Sequence, residues 1–259
     1  MTAATLPAPV NHWPSAKGAK AFWGQHELPP YRELLADTIA WAAPQAGERW
    51  LDLGCGGGRL ARGLWERSGG TVAEVVGVDC AAANEDAFDR LRRTVTPPPG
   101  QRLRFECHDF SGGLGAFPAA AFDHAVSGLS ITYAEHYDHA AGRWTTAAYD
   151  RLLADVRRVV RPGGRFVFSV NVPEPSWAAV GWRSLTAIVT GDRPLRRLKG
   201  AWRMIRYGRW LKVEARRGRF HYLPAAEVAA KLAAAGWADV EHRLSYARQA
   251  YVFRATNPG

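Results

Sequence analysis

The sequence predicts an α/β protein built on a doubly wound parallel sheet, with helices on both faces and a helical cap inserted late in the chain. Three observations predict it. Short apolar runs alternate with amphipathic helical patterns in four or five successive units, which is how parallel strands and crossover helices read. A glycine corner, "GCGGG" at 54–58, joins one of these runs to a helix. The chain ends in two strand patterns with no helix between them, the signature of a hairpin added to the sheet.

Taken in order, "PPYRELLADTIAWAAP" (29–44) places Leu34, Leu35, Thr38, Ile39 and Ala42 on one helical stripe bounded by prolines. "RWLDL" is a strand, and "GRLARGLWERS" is a helix stopped by Gly69-Gly70. "AEVVGVD" reads as a buried strand, and "AANEDAFDRLRRTV" as a helix ended by "TPPPG". Two further strands follow, in "RLRFECHD" and "AFDHAVSGL". "TTAAYDRLLADVRRVV" is a long helix closed by Pro162-Gly163-Gly164, ahead of the strand "RFVFSVNV". Residues 174–222 break the alternation. Beyond them come the helix "LPAAEVAAKLAAAGW" and the strands "ADVEHRLSY" and "RQAYVFRAT". The expected organisation is N-terminal lid helices (1–45), a core (46–173), a basic Trp/Arg-rich cap insertion (174–222) and the C-terminal part of the core (223–259).

The 259 residues are 47% hydrophobic, enough for a sizeable core, and disorder is not the default. No apolar run approaches 18 residues, the N-terminus lacks a basic start with an apolar block, and the three cysteines show no CxxC spacing. These features point to a cytoplasmic protein with neither a disulfide framework nor a zinc site. The formal charge of +10 is concentrated: residues 191–222 hold eleven Lys or Arg against two acids, Asp192 and Glu214.

A strand that ends in consecutive glycines and opens a helix lets a ligand approach bare backbone, where unpaired N–H groups and positive potential await it. Asp79 ends the next strand, 23 residues after Gly56, where a carboxylate can accept from two ribose hydroxyls. Asp109, in "CHDF", follows the third strand and could accept from an exocyclic amine, with Phe110 against the ring face. A dinucleotide and S-adenosylmethionine both suit such a set. The pattern G-x-G-x-x-G fails from Gly54, because residue 59 is arginine, and can be forced from Gly56 only with Ala61 as its last member. That register leaves Asp52 unexplained. A carboxylate there would repel a pyrophosphate and attract an ammonium group.

"LDLGCGGGRLA", "VVGVD", "CHDF", "FPAAAFDHAVSGLSI" and "VVRPGGRFVFSV" together resemble a class I S-adenosylmethionine-dependent methyltransferase, in family order. The resemblance covers roughly residues 30–171 and the tail from 223. It implies a Rossmann-like, seven-stranded, mostly parallel sheet with a reversed last strand. It also implies S-adenosyl-L-methionine as cofactor, with Asp52, Gly54, Cys55 and Gly56 along its methionine end. Asp79, with Cys80 beside it, would hold the ribose, Asp109 and Phe110 the adenine, and Ser127 and Leu129 the floor after the fourth strand.

The fourth strand runs into "SGLSITY", without the [DNS]-P-P-[YFW] motif of base-amino methylation or a Pro-Cys nucleophile. The acceptor is therefore expected to be a small organic molecule, hydrophobic or membrane-associated, methylated on oxygen or carbon. A hydroxyl acceptor would need a general base, for which His136, His139 and His221 are the candidates; Tyr133 could orient the acceptor. His136 and His139 have no clear carboxylate partner, so no metal is assigned. "KAFWGQHELPPYRELL" resembles the family's lid segment, bringing Trp23, His26, Tyr31 and Arg32 near the ligands. In the insertion, Leu195, Leu198, Trp202, Ile205 and Val213 share one helical side, with Trp210 at its edge. Packing on the sheet and seating on an anionic membrane surface both fit residues 191–222. RNA binding through this segment and an NAD-linked Rossmann enzyme are the remaining alternatives.

Overall fold

A computed structural model describes residues 13–14, 28–184 and 206–259. Along the sheet half of the chain run α1 (Pro29–Ala42), β1 (Arg49–Leu53), α2 (Arg59–Arg67), β2 (Glu74–Asp79), α3 (Glu85–Val95), β3 (Arg102–Cys107) and β4 (His124–Gly128). A two-stranded hairpin follows, β5 (Tyr137–Asp138) and β6 (Arg143–Trp144), and then α4 (Ala147–Val159), β7 (Arg165–Asn171) and α5 (Trp177–Arg183). Residues 206–216 form helix α6. The chain closes with α7 (Ala225–Ala234), β8 (Ala238–Ser245) and β9 (Ala250–Thr256).

Seven strands form one sheet in the order β3-β2-β1-β4-β7-β9-β8. β9 runs antiparallel to both neighbours, and every other strand points the same way. The expected reversed last strand is thus β9. The order reverses between β1 and β4, so the loops leaving those two strands diverge and open a crevice at their carboxyl ends.

The central strands are apolar on both faces because helices cover both. Leu51, Leu53, Val76, Val78, Phe166 and Phe168 pack with Leu152, Leu153 and Val156 of α4. On the opposite face, Trp50, Val75, Val126 and Val167 meet Leu34 and Ile39 of α1, Leu60 and Leu64 of α2, and Phe88 and Leu91 of α3. The two-residue period of a strand places Asp52 on this second face beside Trp50, fully buried.

Two expectations differ in detail. The hairpin β5–β6 is additional to the elements read from sequence. Its turn forms because Asp138 Oδ1 accepts from the Ala140 and Ala141 N–H groups (2.9 Å each) and Gly142 takes a φ of 63°. In α6, Val213 is 43% exposed, whereas Leu211 is buried with Phe220 and Tyr222. The apolar face that α6 turns inward therefore runs through Tyr207, Trp210 and Leu211. Leu195, Leu198, Trp202 and Ile205 lie outside the described residues, as do Trp23 and His26.

Candidate active site

A cleft of about 470 Å3 opens at the carboxyl ends of β1 and β4. Its first wall is the glycine corner. Gly54 has a φ of 66°, and a Cβ there would overlap the Ser130 side chain, so only glycine fits. Gly56, at 50°, faces open space: a Cβ would meet nothing within 4 Å. Backbone is bare at this point, as an approaching ligand requires.

Three carboxylates line the same cleft. Asp52 Oδ2 accepts from the Ala61 N–H of α2 (3.2 Å), while Oδ1 has no hydrogen-bond partner. Burial, offset in part by the Ala61 bond and reinforced by the Asp79 charge, raises the Asp52 pKa from the ordinary 3.8 to about 7. Asp79 ties two loops together: the Gly56 N–H donates to Oδ2 and the Ala81 N–H to Oδ1, both at 2.9 Å. Its pKa is also raised by burial, against the pull of these two bonds. Asp109 caps a short 3-10 turn by accepting from the Ser111 N–H (2.9 Å), next to the buried ring of Phe110.

The far end of the cleft is aromatic. Trp13, Tyr31, Tyr133, Trp177 and Tyr246 line it with Leu211 of α6 and Asn171 from the end of β7. Trp13 lies 4.3 Å, centroid to centroid, from Tyr133, whose hydroxyl shares a 2.9 Å hydrogen bond with that of Tyr222. Burial pushes the Tyr31 phenol up to about 12, with the Asp52 charge adding to the effect. Burial likewise holds Tyr133, Tyr222 and Tyr246 above the ordinary phenol range.

Residues 51–168, which hold the glycine corner and all three carboxylates, match the model of the methyltransferase domain family. Over that stretch the chain carries a methyltransferase domain of the class I, S-adenosylmethionine-dependent type. This replaces the NAD-linked alternative. A curated relative of this chain is the S-adenosyl-L-methionine-dependent Diels-Alderase iccD of Talaromyces variabilis. It is 30% identical over 135 residues, covering 52% of this chain and 40% of the relative, so the chain spans less than half of that protein's length. Among solved structures, an O-methyltransferase family protein from Burkholderia thailandensis superposes with a TM-score of 0.60 at 13% identity, over 93% of this chain and 60% of that one. An S-adenosylmethionine-dependent methyltransferase from Mesorhizobium loti gives 0.54 at 22% identity, over 86% and 97%. These two likenesses describe the fold.

The residues of the methyltransferase cleft fit the cofactor. The unpartnered Asp52 Oδ1 is a buried acceptor awaiting a donor, and the space over Gly56 is open. Of the residues expected along the cofactor, Asp52, Gly54, Cys55, Gly56, Asp79, Cys80, Asp109, Phe110 and Leu129 line the cleft. Ser127 does not. It is fully buried and donates its hydroxyl to the Leu53 carbonyl (2.8 Å), pinning β4 to β1. Ser130, three residues on, lines the cleft instead and donates to the carbonyls of Gly54 and Gly128.

The histidines correct the expectation of a general base. His136 pairs through Nδ1 with Thr145 Oγ1 (2.7 Å), and the His139 ring packs on Tyr137 of the β5–β6 hairpin. Neither lines the cleft. His221 is also outside it, buried, with Nε2 bonded to the Ala134 carbonyl (3.0 Å). Burial lowers its pKa, so the ring is neutral and Nε2–H is the donor. Of the four catalytic candidates, only Tyr133 reaches the cleft.

Sequence reading missed Asn171, Trp177, Leu211 and Tyr246. Asn171 carried a usable signal, a polar residue closing an apolar strand as Asp79 does. Tyr246 begins three consecutive left-handed residues, Tyr246, Ala247 and Arg248 (φ 55°, 55° and 64°), in the β8–β9 turn. Four described cations of the cap are paired. Lys212 and Arg216 reach Glu174 (2.7 and 3.1 Å), Arg217 reaches Glu214 (2.8 Å), and Arg219 reaches Glu135 (2.9 Å) and Glu214 (3.3 Å).

Proposed function

We propose that this methyltransferase methylates a small, largely apolar organic acceptor on oxygen or carbon. The single observation that carries this reading is the continuity of the cleft. A polar, acid-lined corner suited to an adenosyl amino acid runs directly into an aromatic chamber.

When bound, S-adenosylmethionine supplies a methyl group on a positively charged sulfur. Asp52 would accept from its ammonium, Asp79 from the ribose hydroxyls, and Asp109 from the adenine amine, with Phe110 against the ring. Tyr31, Tyr133, Trp177, Leu211 and Tyr246 exclude water and orient the acceptor, so the chain contributes mainly alignment. The raised phenol pKa values keep the tyrosines protonated near neutral pH, as hydrogen-bonding groups rather than bases. An acceptor that ionises easily, or that reacts at a nucleophilic carbon, suits such a chamber.

A screen of phenols, enols and amines with S-adenosylmethionine, read by mass spectrometry, tests the proposal. Products one methyl heavier among the phenols or enols support it; methylation confined to amines overturns it. A second reading rests on the curated relative named as a Diels-Alderase together with the neutral chamber: the cofactor acts without giving up its methyl. Substrate conversion without formation of S-adenosylhomocysteine distinguishes that case. An anionic membrane surface as a partner of residues 191–222 remains a separate proposal; no helix among the described residues is long and apolar enough to cross a membrane.

A further inference from the structure

Two buried polar atoms at the aromatic end of the cleft have no hydrogen-bond partner: Asn171 Oδ1 and the Tyr246 hydroxyl. Both residues line the cleft and are at most 1% exposed. Trp177 Nε1, in the same wall, is unpartnered as well. Buried polar groups in folded proteins are normally paired, so three at one end of a ligand cleft are complementary to something that binds there.

Backbone geometry points the same way. Tyr246 opens the left-handed run in the β8–β9 turn, a conformation unfavourable for residues with a side chain. The turn is held in place by Gln249, whose N–H donates to the Tyr246 carbonyl (3.0 Å) and whose Nε2 donates to the Ala247 carbonyl (3.1 Å). Gln249 Oε1 also accepts from the Ser176 N–H, beside α5, which carries Trp177. One residue thus fixes two walls of the chamber.

The walls themselves define the body of the ligand. Tyr31 meets Tyr246 edge-on at 6.2 Å, and Trp13 and Tyr133 stand together across the chamber. Flat rings favour a flat guest. Tyr133, Asn171, Trp177, Leu211 and Tyr246 carry no charge, so these walls give a carboxylate or phosphate no direct partner; the cations lining the cleft are Arg59, whose charge reaches Tyr31, and Arg62 of α2, and Arg90 of α3.

Resting on the acceptor-site reading above, we infer that the chamber binds a flat, uncharged, hydroxyl-bearing acceptor of the phenol or enol class. Asn171 Oδ1 accepts its hydroxyl proton, and the Tyr246 hydroxyl donates to one of its oxygens. Tyr246 and Asn171 are then specificity residues of the methyl acceptor, drawn from the ends of two strands that sequence reading did not connect to the site.

The test is calorimetric, on the full chain saturated with S-adenosylhomocysteine, using 2-naphthol, 2-naphthoate and 2-methylnaphthalene as probes. The inference expects 2-naphthol to bind one-to-one, about tenfold more tightly than the other two. It expects Tyr246→Phe to weaken 2-naphthol about fivefold while leaving S-adenosylhomocysteine unchanged, an effect the size of one lost hydrogen bond. Asn171→Leu serves as the second variant, with the same expectation. Equal or tighter binding of 2-naphthoate overturns the inference, as do failure of 2-naphthol to bind at millimolar concentration and unchanged 2-naphthol affinity in both variants. If S-adenosylhomocysteine itself does not bind, the cofactor reading falls, and that failure is seen before any probe is added.

Discussion

Asp52→Asn separates stability from binding. The aspartate is fully buried in the sheet, with a pKa raised from 3.8 to about 7, chiefly by burial. A group whose folded pKa lies above its unfolded value stabilises the fold while protonated. That contribution is complete below pH 4, declines as pH rises, and is gone above pH 7. At about 1.4 kcal/mol per pH unit, roughly 2–3 kcal/mol disappears between pH 5 and pH 8. Asp79 and Glu135 are raised too, and His124 and His221 are lowered, so the wild-type profile is a composite. The variant isolates the Asp52 contribution, because asparagine keeps the shape and cannot ionise. Urea unfolding of the cofactor-free protein at pH 5 and pH 8 reads it. The expected result is a gain of about 2–3 kcal/mol by the variant over wild type on going from pH 5 to pH 8, with S-adenosylhomocysteine binding weakened about 10- to 100-fold by loss of a charge-assisted hydrogen bond. A pH-dependent difference below about 0.5 kcal/mol would refute the reasoning, since a carboxylate this buried cannot ionise in the fold without cost.

Other outcomes follow from the same geometry. At pH 7 about half of the Asp52 population carries a proton, so ligand binding should release about half a proton, and almost none at pH 8.5; calorimetry in buffers of different ionisation enthalpy measures this. Gly54→Ala forces a Cβ into Ser130 and is expected to lower stability by about 2 kcal/mol. Gly56→Ala meets no protein atom, so it should cost only about 1 kcal/mol yet weaken S-adenosylhomocysteine more than tenfold, because its methyl occupies the cleft. His221→Ala removes the donor to the Ala134 carbonyl and should cost about 1–3 kcal/mol without changing cofactor affinity; a change in affinity above threefold contradicts its placement outside the cleft. Arg219→Ala leaves the carboxylates of Glu135 and Glu214 buried without this partner and should destabilise by about 3–5 kcal/mol in thermal or urea unfolding.

The fold was legible because buried parallel strands read as apolar runs and their crossover helices as stripes, with glycine and proline marking the joints. Asp52 and Asp79 stood out for the same reason, as charges at or near the carboxyl ends of strands whose other charged residues, Arg49 and Glu74, stand at the first position. The acceptor end was less legible. His136 and His139 looked catalytic by type and spacing, yet Asp138 and Gly142 fold that stretch into a small hairpin outside the cleft. Ser127 was misplaced because a strand residue turned into the sheet spends its hydroxyl on a neighbouring backbone carbonyl. Val213 was assigned to the wrong side because the phase of α6 is set by Leu211 against Phe220 and Tyr222. Asn171 and Tyr246 lie far apart in the chain and meet only through the pairing of β7 with β9, which no local pattern encodes.

A crystal structure of the complex with S-adenosylhomocysteine tests the central claim most directly. The account predicts the ribose hydroxyls within hydrogen-bond distance of Asp79, the amino group on Asp52, and the adenine between Asp109 and Phe110. An empty cleft at saturating ligand, or a ribose held away from Asp79, would contradict it.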